Sequence, residues 1–469
     1  MTQVGKGTRN HIFHGITRSL CPECRALVDA QILIREGKVY LRKHCPEHEW
    51  HEALISSDAD WYLKSAPYNK PGSVPLKLAT SVENGCPYDC GLCPEHQQHT
   101  CLGLIEITTR CNLACPTCFA DAGEGYDLTL SQVETILDRF VETEGSPEVV
   151  QISGGEPTIH PQVVDIVAAA WARNISHVML NTNGIRLAQE PDFVRQLAEY
   201  DPTIYLQFDG LDDATYRLLR GCDLLDTKKR ALDNLAEAGL YANLVATVVK
   251  GVNDGQLGDI VRFALEHPAV LGICYQPVTF SGRHDNRLDP MDRVTVADVL
   301  SLLEAQTSGL FKASDFRPVP CPHPDCSACT YAWVDGDEVT PITRLLNVDD
   351  YLDYAVNRTV VDLSSELRPV LEALWSMSSV LGGENAASAL SCAACGVDLT
   401  ALDPKNLNEG FFMIQVHAFM DEHNFDLKRL MKCCVHQLLP DGRAVPLCAY
   451  NNLGYREQVE REQEAVSGR

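Results

Sequence analysis

Between residues 104 and 277, short runs of β-branched and aromatic residues alternate with segments whose apolar positions recur at helical spacing. The runs at 104–108, 149–153, 177–181, 203–209, 242–249 and 272–277 predict strands. The segments 130–141, 163–171, 193–197, 229–238 and 259–265 predict helices. Such alternation implies an α/β fold, a parallel sheet with right-handed crossovers. Six strands suit an incomplete barrel or an open sheet equally. In both, ligands bind at the C-terminal ends of the strands.

The chain has 469 residues, enough for about three domains at roughly 150 residues each. Hydrophobic residues are 45% and charged residues 22%, as in an ordinary core-forming protein. The longest apolar run, 163–172, is broken by Asp165 and falls short of the ~20 residues of a membrane span. Residues 1–15 hold no apolar stretch of the kind a secretory signal needs, so a cytoplasmic location is expected. With 64 acidic against 39 basic residues, the net charge is −25, which argues against a nucleic-acid partner. The first fifty residues are weakly basic and read as a solvated face; an anionic membrane surface is the other reading.

Twenty cysteines change the picture. In a long chain without an export signal they point to metal rather than disulfides. Cys21, Cys24 and Cys45 precede His48; Cys86, Cys90, Cys93 and Cys101 follow; then come Cys111, Cys115 and Cys118. After a long gap stand Cys321, Cys326 and Cys329, then Cys392 and Cys395, then Cys433, Cys434 and Cys448. Cys222 and Cys274 stand alone and read as core thiols.

Cys111-Asn-Leu-Ala-Cys115-Pro-Thr-Cys118 directly follows the first strand. Three thiolates on so short a loop can surround one cubane cluster and leave one iron open for a ligand. A zinc knuckle is the alternative on spacing alone. The second strand ends in Ser153-Gly154-Gly155-Glu156-Pro157, where glycine permits close backbone approach and a carboxylate can accept from an ammonium group. Cx3CxxC after strand one with GGEP after strand two resembles the radical S-adenosylmethionine (SAM) superfamily, and Phe119 fits as well. The resemblance implies a partial (β/α)6 TIM-like barrel with a [4Fe–4S] cluster on Cys111, Cys115 and Cys118. It also implies that Gly154, Gly155 and Glu156 line the methionyl amine of SAM. Cleavage of SAM would yield a 5′-deoxyadenosyl radical that takes a hydrogen atom from the substrate. Asn183, Gln207 and Asp209 at later strand ends are candidates for the ribose hydroxyls, with loop capping as the plainer reading. Thr247 and Gln276 read as strand polarity as readily as ligand contacts.

The flanks hold further candidate centres. Cys21, Cys24, Cys45 and His48 form two knuckles around a hairpin at 32–41, a donor set for zinc or a mononuclear iron. Cys86, Cys90, Cys93 and Cys101 suit a second [4Fe–4S] cluster, with Glu95, His96 and His99 read as surface residues. Cys321, Cys326, Cys434 and Cys448 are the expected ligands of a third; Cys433 can replace Cys434, and Cys329 is a spare thiol. Cys392 and Cys395 stay undecided. The apolar stretch with Phe411, Phe412, Met413, Ile414, Val416, Phe419 and Met420 reads as a helix, more often core than tunnel lining.

These boundaries give a metal-knuckle domain over 1–60, an auxiliary cluster segment over 61–103, a barrel over 104–310 and a C-terminal iron–sulfur auxiliary domain over 311–469. The ordered series CPEC, CPEH, NGCPYDCGLCPEH, CNLACPTCF, SGGEPT and CCVHQLLPDGRAVPLCAYN resembles the archaeal tetraether lipid synthases and their bacterial relatives, formerly labelled pterin methyltransferases. That resemblance implies two auxiliary clusters, a rubredoxin-like iron, and a carbon–carbon bond joining two lipid tails at unactivated carbons. It further implies a lipid partner reached peripherally at the membrane surface and a flavodoxin- or ferredoxin-type electron donor. The alternative is a radical SAM methyltransferase acting on a pterin-like or other small molecule. An iron–sulfur carrier without catalysis is disfavoured, because electron transfer alone needs no open iron paired with GGEP.

Overall fold

Residues 10–173, 175–284, 288–345 and 410–467 are described in the computed structural model. Cys392 and Cys395 lie outside the described residues. Strands β1 (Ile12–Leu20), β2 (Leu27–Arg35), β3 (Lys38–Cys45) and β4 (Glu49–Ser56) form an antiparallel sheet in that order. The expected hairpin is β2–β3; Glu36 and Gly37 both take positive φ, 52° and 74°, which fits a two-residue turn to the strand twist.

The six expected barrel strands are β5 (Leu102–Thr108), β6 (Val149–Gly154), β7 (His177–Thr182), β8 (Thr203–Gln207), β9 (Ala242–Val248) and β10 (Val270–Pro277). Neighbours in this series pair parallel throughout. Helices such as Leu130–Glu144, Val163–Trp171 and Leu225–Ala238 cover the outside, each burying one apolar stripe. Val133, Ile136, Ile166, Leu232 and Leu235 are enclosed between helices and sheet. The alternate strand residues Leu102, Val149, Met179, Tyr205 and Val245 instead face inward and form a second cluster.

The later chain adds β11 (Arg317–Pro318), β12 (Ser327–Asp335), β13 (Glu338–Pro341), β14 (Phe411–His417), β15 (Val435–Leu438) and β16 (Ala444–Pro446). The helix expected from Phe411 onward is therefore the strand β14. Its run of consecutive apolar residues carries no period that separates a helix from a strand buried on both faces. It pairs parallel with β10 and antiparallel with β12, so Phe412, Ile414 and Val416 enter the outer core. Met413, Gln415 and His417 turn to the other face, where Gln415 and His417 line the barrel cavity. Gly272 makes the approach possible, since a Cβ there would stand 2.5 Å from the Met413 carbonyl oxygen. On the opposite edge β15 pairs parallel with β5. Segments after the six-strand series thus extend the same sheet at both ends, in the order β14-β10-β9-β8-β7-β6-β5-β15.

Buried polar contacts lock these segments together. Lys43 on β3 donates to the carbonyl oxygens of Glu422 (2.5 Å) and His423 (2.9 Å), and Thr17 donates to Asp426 at 2.6 Å. Asp421 accepts from Arg293 at 2.5 and 3.2 Å and from the Phe280 N–H at 3.0 Å. Among the described residues no helix is long and apolar enough to cross a membrane.

Asp421 generates a prediction. Burial raises its carboxyl pKa, but the Arg293 charge and the Phe280 N–H outweigh that and hold it at about 2. Its folded value lies below the unfolded one, so its stabilisation is complete above about pH 4 and is lost as pH falls toward 2. Asp421→Asn is expected to cost about 3–5 kcal/mol at neutral pH by leaving Arg293 unpaired. In denaturant titrations the gap between wild type and variant should narrow over pH 4 to 2.

Candidate active site and metal centre

The loop after β5 carries Cys111, Cys115 and Cys118 to the mouth of the barrel, beside Gly154, Gly155, Glu156, Asn183 and Gln207. They line one cavity of about 270 Å3. The glycines set the approach: a Cβ on Gly154 would stand 2.2 Å from the Thr108 carbonyl oxygen, and one on Gly155 2.3 Å from that of Arg110. Gly154 also takes φ of 144°, which side chains disfavour. Backbone bonds from Gly155 to Thr108 (2.8 Å) and Glu156 to Arg110 (2.9 Å) then pin the second motif onto the first.

Glu156 is 1% exposed. One oxygen accepts from the Thr158 N–H (3.0 Å), the Thr158 hydroxyl (2.5 Å) and the Thr182 hydroxyl (2.7 Å). The other accepts from the Asn183 N–H at 2.7 Å. The carboxylate expected to meet the methionyl amine is thus already engaged in joining β6 to β7. Asn183 in turn donates to Asn112 in the cysteine loop at 2.7 Å.

Asp209 sits differently from its expected place. It is fully buried, absent from the cavity lining, and bonded to Arg220 through both oxygens at 2.7 Å, to Gln207 at 2.7 Å and to the Thr247 N–H at 3.0 Å. Those donors saturate it, so it supports Arg220 rather than facing a ligand. Arg220 holds the Thr117 carbonyl oxygen at 3.0 Å and lines the cavity. Lys228, fully buried, donates to Gln207 at 2.9 Å, and burial draws its pKa down to about 8. Arg283 clips the loop by donating to the carbonyl oxygens of Cys115 (3.2 Å) and Ala122 (2.6 Å).

Burial pushes the Cys111 thiol up to about 11 and also raises that of Cys115, where the Arg220 charge acts in the opposite sense. Three thiols in a pocket also lined by Arg220 and Arg283 fit an anionic iron–sulfur cluster: soft donors at close spacing with cations to offset its charge. Arg220, Lys228 and Arg283 escaped sequence reasoning, since nothing in their local pattern separates them from surface cations.

The N-terminal donors converge as expected. One ligand atom each from Cys21, Cys24, Cys45 and His48 lies within 4.8 Å of the others, and this is the group that meets that criterion among the described residues. His48 Nδ1 stands 3.6 Å from Cys21 Sγ and 3.5 Å from Cys45 Sγ. A Cys3His set at this spacing fits one tetrahedral ion.

The other thiols group differently from their spacing. Cys86 and Cys90 lie in bonding reach with Cys93 beside them, whereas the Cys101 thiol contacts Cys321 and Cys434. Cys326 contacts Arg429, and Cys433 and Cys448 lie close to Cys326. Pairing of β15 with β5 brings Cys434 to Cys101, a contact invisible in linear order. Cys329 is buried on β12, and Cys274 inside the barrel, but Cys222 is only half-buried. His96 and His99 are not free surface residues: His96 meets the Cys433 carbonyl oxygen at 2.7 Å and His436 at 3.1 Å, and His99 meets Glu144 at 3.0 Å.

The four-donor centre predicts a clean loss. Cys24→Ser or His48→Ala in the full chain should remove one equivalent of non-cluster metal by elemental analysis. The visible absorbance of the reconstituted clusters should be unchanged, and the melting temperature should fall.

Residues 105–264 match the family model "Radical SAM superfamily", and residues 13–57 match "HMPTM N-terminal zinc ribbon domain". The chain is 35% identical to "7,8-dihydro-6-hydroxymethylpterin dimethyltransferase" of Methanocaldococcus jannaschii, over 95% of both chains. It is 33% identical to "Mycofactocin maturase MftC" of Mycobacterium ulcerans over 36% of this chain and 45% of that protein. Among solved structures, Streptococcus suis SuiB aligns with a TM-score of 0.36 at 21% identity, covering 45% of this chain and 46% of that one. The relative from M. jannaschii matches nearly end to end, and the cysteine loop and GGEP turn both fall within the residues that the superfamily model matches; the chain is a radical SAM enzyme and belongs to the same family as that relative.

Proposed function

We propose that this enzyme is a radical SAM methyltransferase acting on a pterin-like heterocycle. The observation that carries this reading is the match over 95% of both chains to a protein named for dimethylation of 7,8-dihydro-6-hydroxymethylpterin. The cavity supports it. Gln151, Gln276, Gln415 and Tyr205 face a space of about 270 Å3, which suits a compact ring with donors and acceptors on its edge. Gln276 already donates to Tyr205 at 3.1 Å, but a hydrocarbon tail would leave the Gln151 amide and the Gln415 carbonyl oxygen unpaired in an apolar setting, at a cost of about 1–3 kcal/mol each.

Cys111, Cys115 and Cys118 would hold the [4Fe–4S] cluster. With SAM bound, that group supplies the one-electron cleavage that generates a 5′-deoxyadenosyl radical. The chain's own part is to position and enclose. Gly154 and Gly155 let the turn after β6 close onto the cysteine loop, Asn183 and Gln207 line the cavity with amides held in fixed orientation, and Arg220 supplies positive charge. Lys228 and Asp209 fix Gln207 from two sides. Phe119 and Phe419, with ring centroids 5.2 Å apart, close part of the mouth against water. The reaction needs a one-electron donor, for which a flavodoxin or ferredoxin is the proposed partner. We assign Cys86, Cys90 and Cys93, and the thiols around Cys101 and Cys326, to auxiliary iron–sulfur centres.

A second reading, joining two lipid tails at unactivated carbons, draws on the apolar side of the same cavity, where Leu102, Leu104, Phe119, Phe419, Val435 and Leu447 gather. Product mass separates the two. Anaerobically reconstituted, reduced enzyme is incubated with methyl-labelled SAM and either 7,8-dihydro-6-hydroxymethylpterin or a lipid extract. The expected product is a pterin heavier by one methylene per turnover and carrying the label. Unlabelled lipid that has lost two hydrogens per new bond, with the pterin unchanged, would replace the first reading by the second.

A further inference from the structure

Buried polar groups in folded proteins are almost always hydrogen-bonded, so a cluster of exceptions lining one cavity marks groups waiting for a ligand. Gln151, mid-strand on β6, is 5% exposed and lines the cavity, yet its amide makes no side-chain hydrogen bond among the described residues. His417 at the end of β14 is 8% exposed and lines the cavity; its Nδ1 is enclosed without a partner, which leaves Nε2 as the ring nitrogen that a ligand can reach. Burial draws its pKa down to about 4, so the ring is neutral and offers one donor and one acceptor. Gln415, two residues earlier on the same face, donates to Ser327 at 3.1 Å and retains its carbonyl oxygen as an acceptor. The strand ends that carry Gly154, Glu156, Asn183 and Gln207 lie further toward the cysteine loop, so Gln151 sits inward of the expected SAM contacts.

An aromatic wall flanks these groups. Phe419 lies 4.5 Å from the His417 ring and 5.2 Å from Phe119, centroid to centroid. Unpaired amide and imidazole groups beside an apolar aromatic face are what a planar heterocycle requires: edge hydrogen bonds for identity and a ring surface for packing.

We infer that Gln151, Gln415 and His417 read the hydrogen-bonding edge of the substrate ring while Phe419 and Phe119 pack against its face. The assignment rests on the pterin reading above. It gives these residues a specificity role. Replacing Gln151 by leucine, close in shape and needing no partner, should therefore weaken binding without lowering stability.

The experiment uses full-length, anaerobically reconstituted enzyme with SAM present, titrated calorimetrically with 7,8-dihydro-6-hydroxymethylpterin. Gln151→Leu should weaken pterin binding at least about tenfold, as expected for one lost hydrogen bond to a buried partner, with SAM affinity unchanged and the melting temperature equal or higher. His417→Phe keeps the aromatic wall and should weaken binding likewise. Wild type binding the pterin while both variants bind it equally well would overturn the edge-reading role and leave the pterin reading standing. Wild type failing to bind the pterin would overturn both.

Discussion

The mouth of the barrel is organised by one buried carboxylate. Glu156 takes four donors from three residues, Thr158, Thr182 and Asn183, and so ties the end of β6 to the end of β7. Burying an unpaired carboxylate is costly, whereas charge-assisted bonds to backbone N–H and hydroxyl groups offset that cost and fix direction. From Asn183 the constraint passes to Asn112, and so into the loop that presents Cys111. The neighbouring glycines make this possible, because a methyl group on Gly154 would collide with the last residue of β5 and one on Gly155 with the backbone just after it. Cluster loop, GGEP turn and β7 end are one mechanical unit.

A second layer of buried charge holds the rest in place. Asp209 engages Arg220, Glu106 engages Arg456 at 2.7 and 2.8 Å, and Asp421 engages Arg293. Such pairs add little net stability compared with apolar packing, but each is expensive to break by removing one partner. Their effect is positional. The Asp209 pair aims Arg220 at the cysteine loop, and the other two fasten C-terminal residues to the barrel. On a chain of net charge −25, Arg220 and Arg283 stand together in the lining of the cavity that holds the three cysteines.

How much of this was legible in the sequence depended on whether the signal was local. The strands and helices read within 104–277 match observed elements to within a few residues, while the short helices Ile185–Gln189 and Asp213–Arg220 went unread. The CNLACPTC and GGEP motifs were legible because each performs its task within a single turn. Local reading failed where a partner is distant. Glu106 and Arg456 are 350 positions apart, and Cys101 meets Cys434 only because β15 docks on β5. The strand β14 read as a helix because residues buried on both faces erase the two-residue alternation. Asp209 was a candidate ligand contact because it stands at a strand end; Arg220, eleven positions on, saturates it.

The central claim is that Cys111, Cys115 and Cys118 hold a cluster with one iron open to SAM, in the setting that Glu156 organises. Electron paramagnetic resonance of the anaerobically reduced full chain tests it directly. Added SAM should shift the signal of one [4Fe–4S] cluster, and a chain in which all three cysteines are alanine should lose that component while retaining other iron–sulfur signals. A reduced wild-type spectrum that SAM leaves unchanged, or a SAM-responsive signal that survives loss of the three cysteines, would contradict the account.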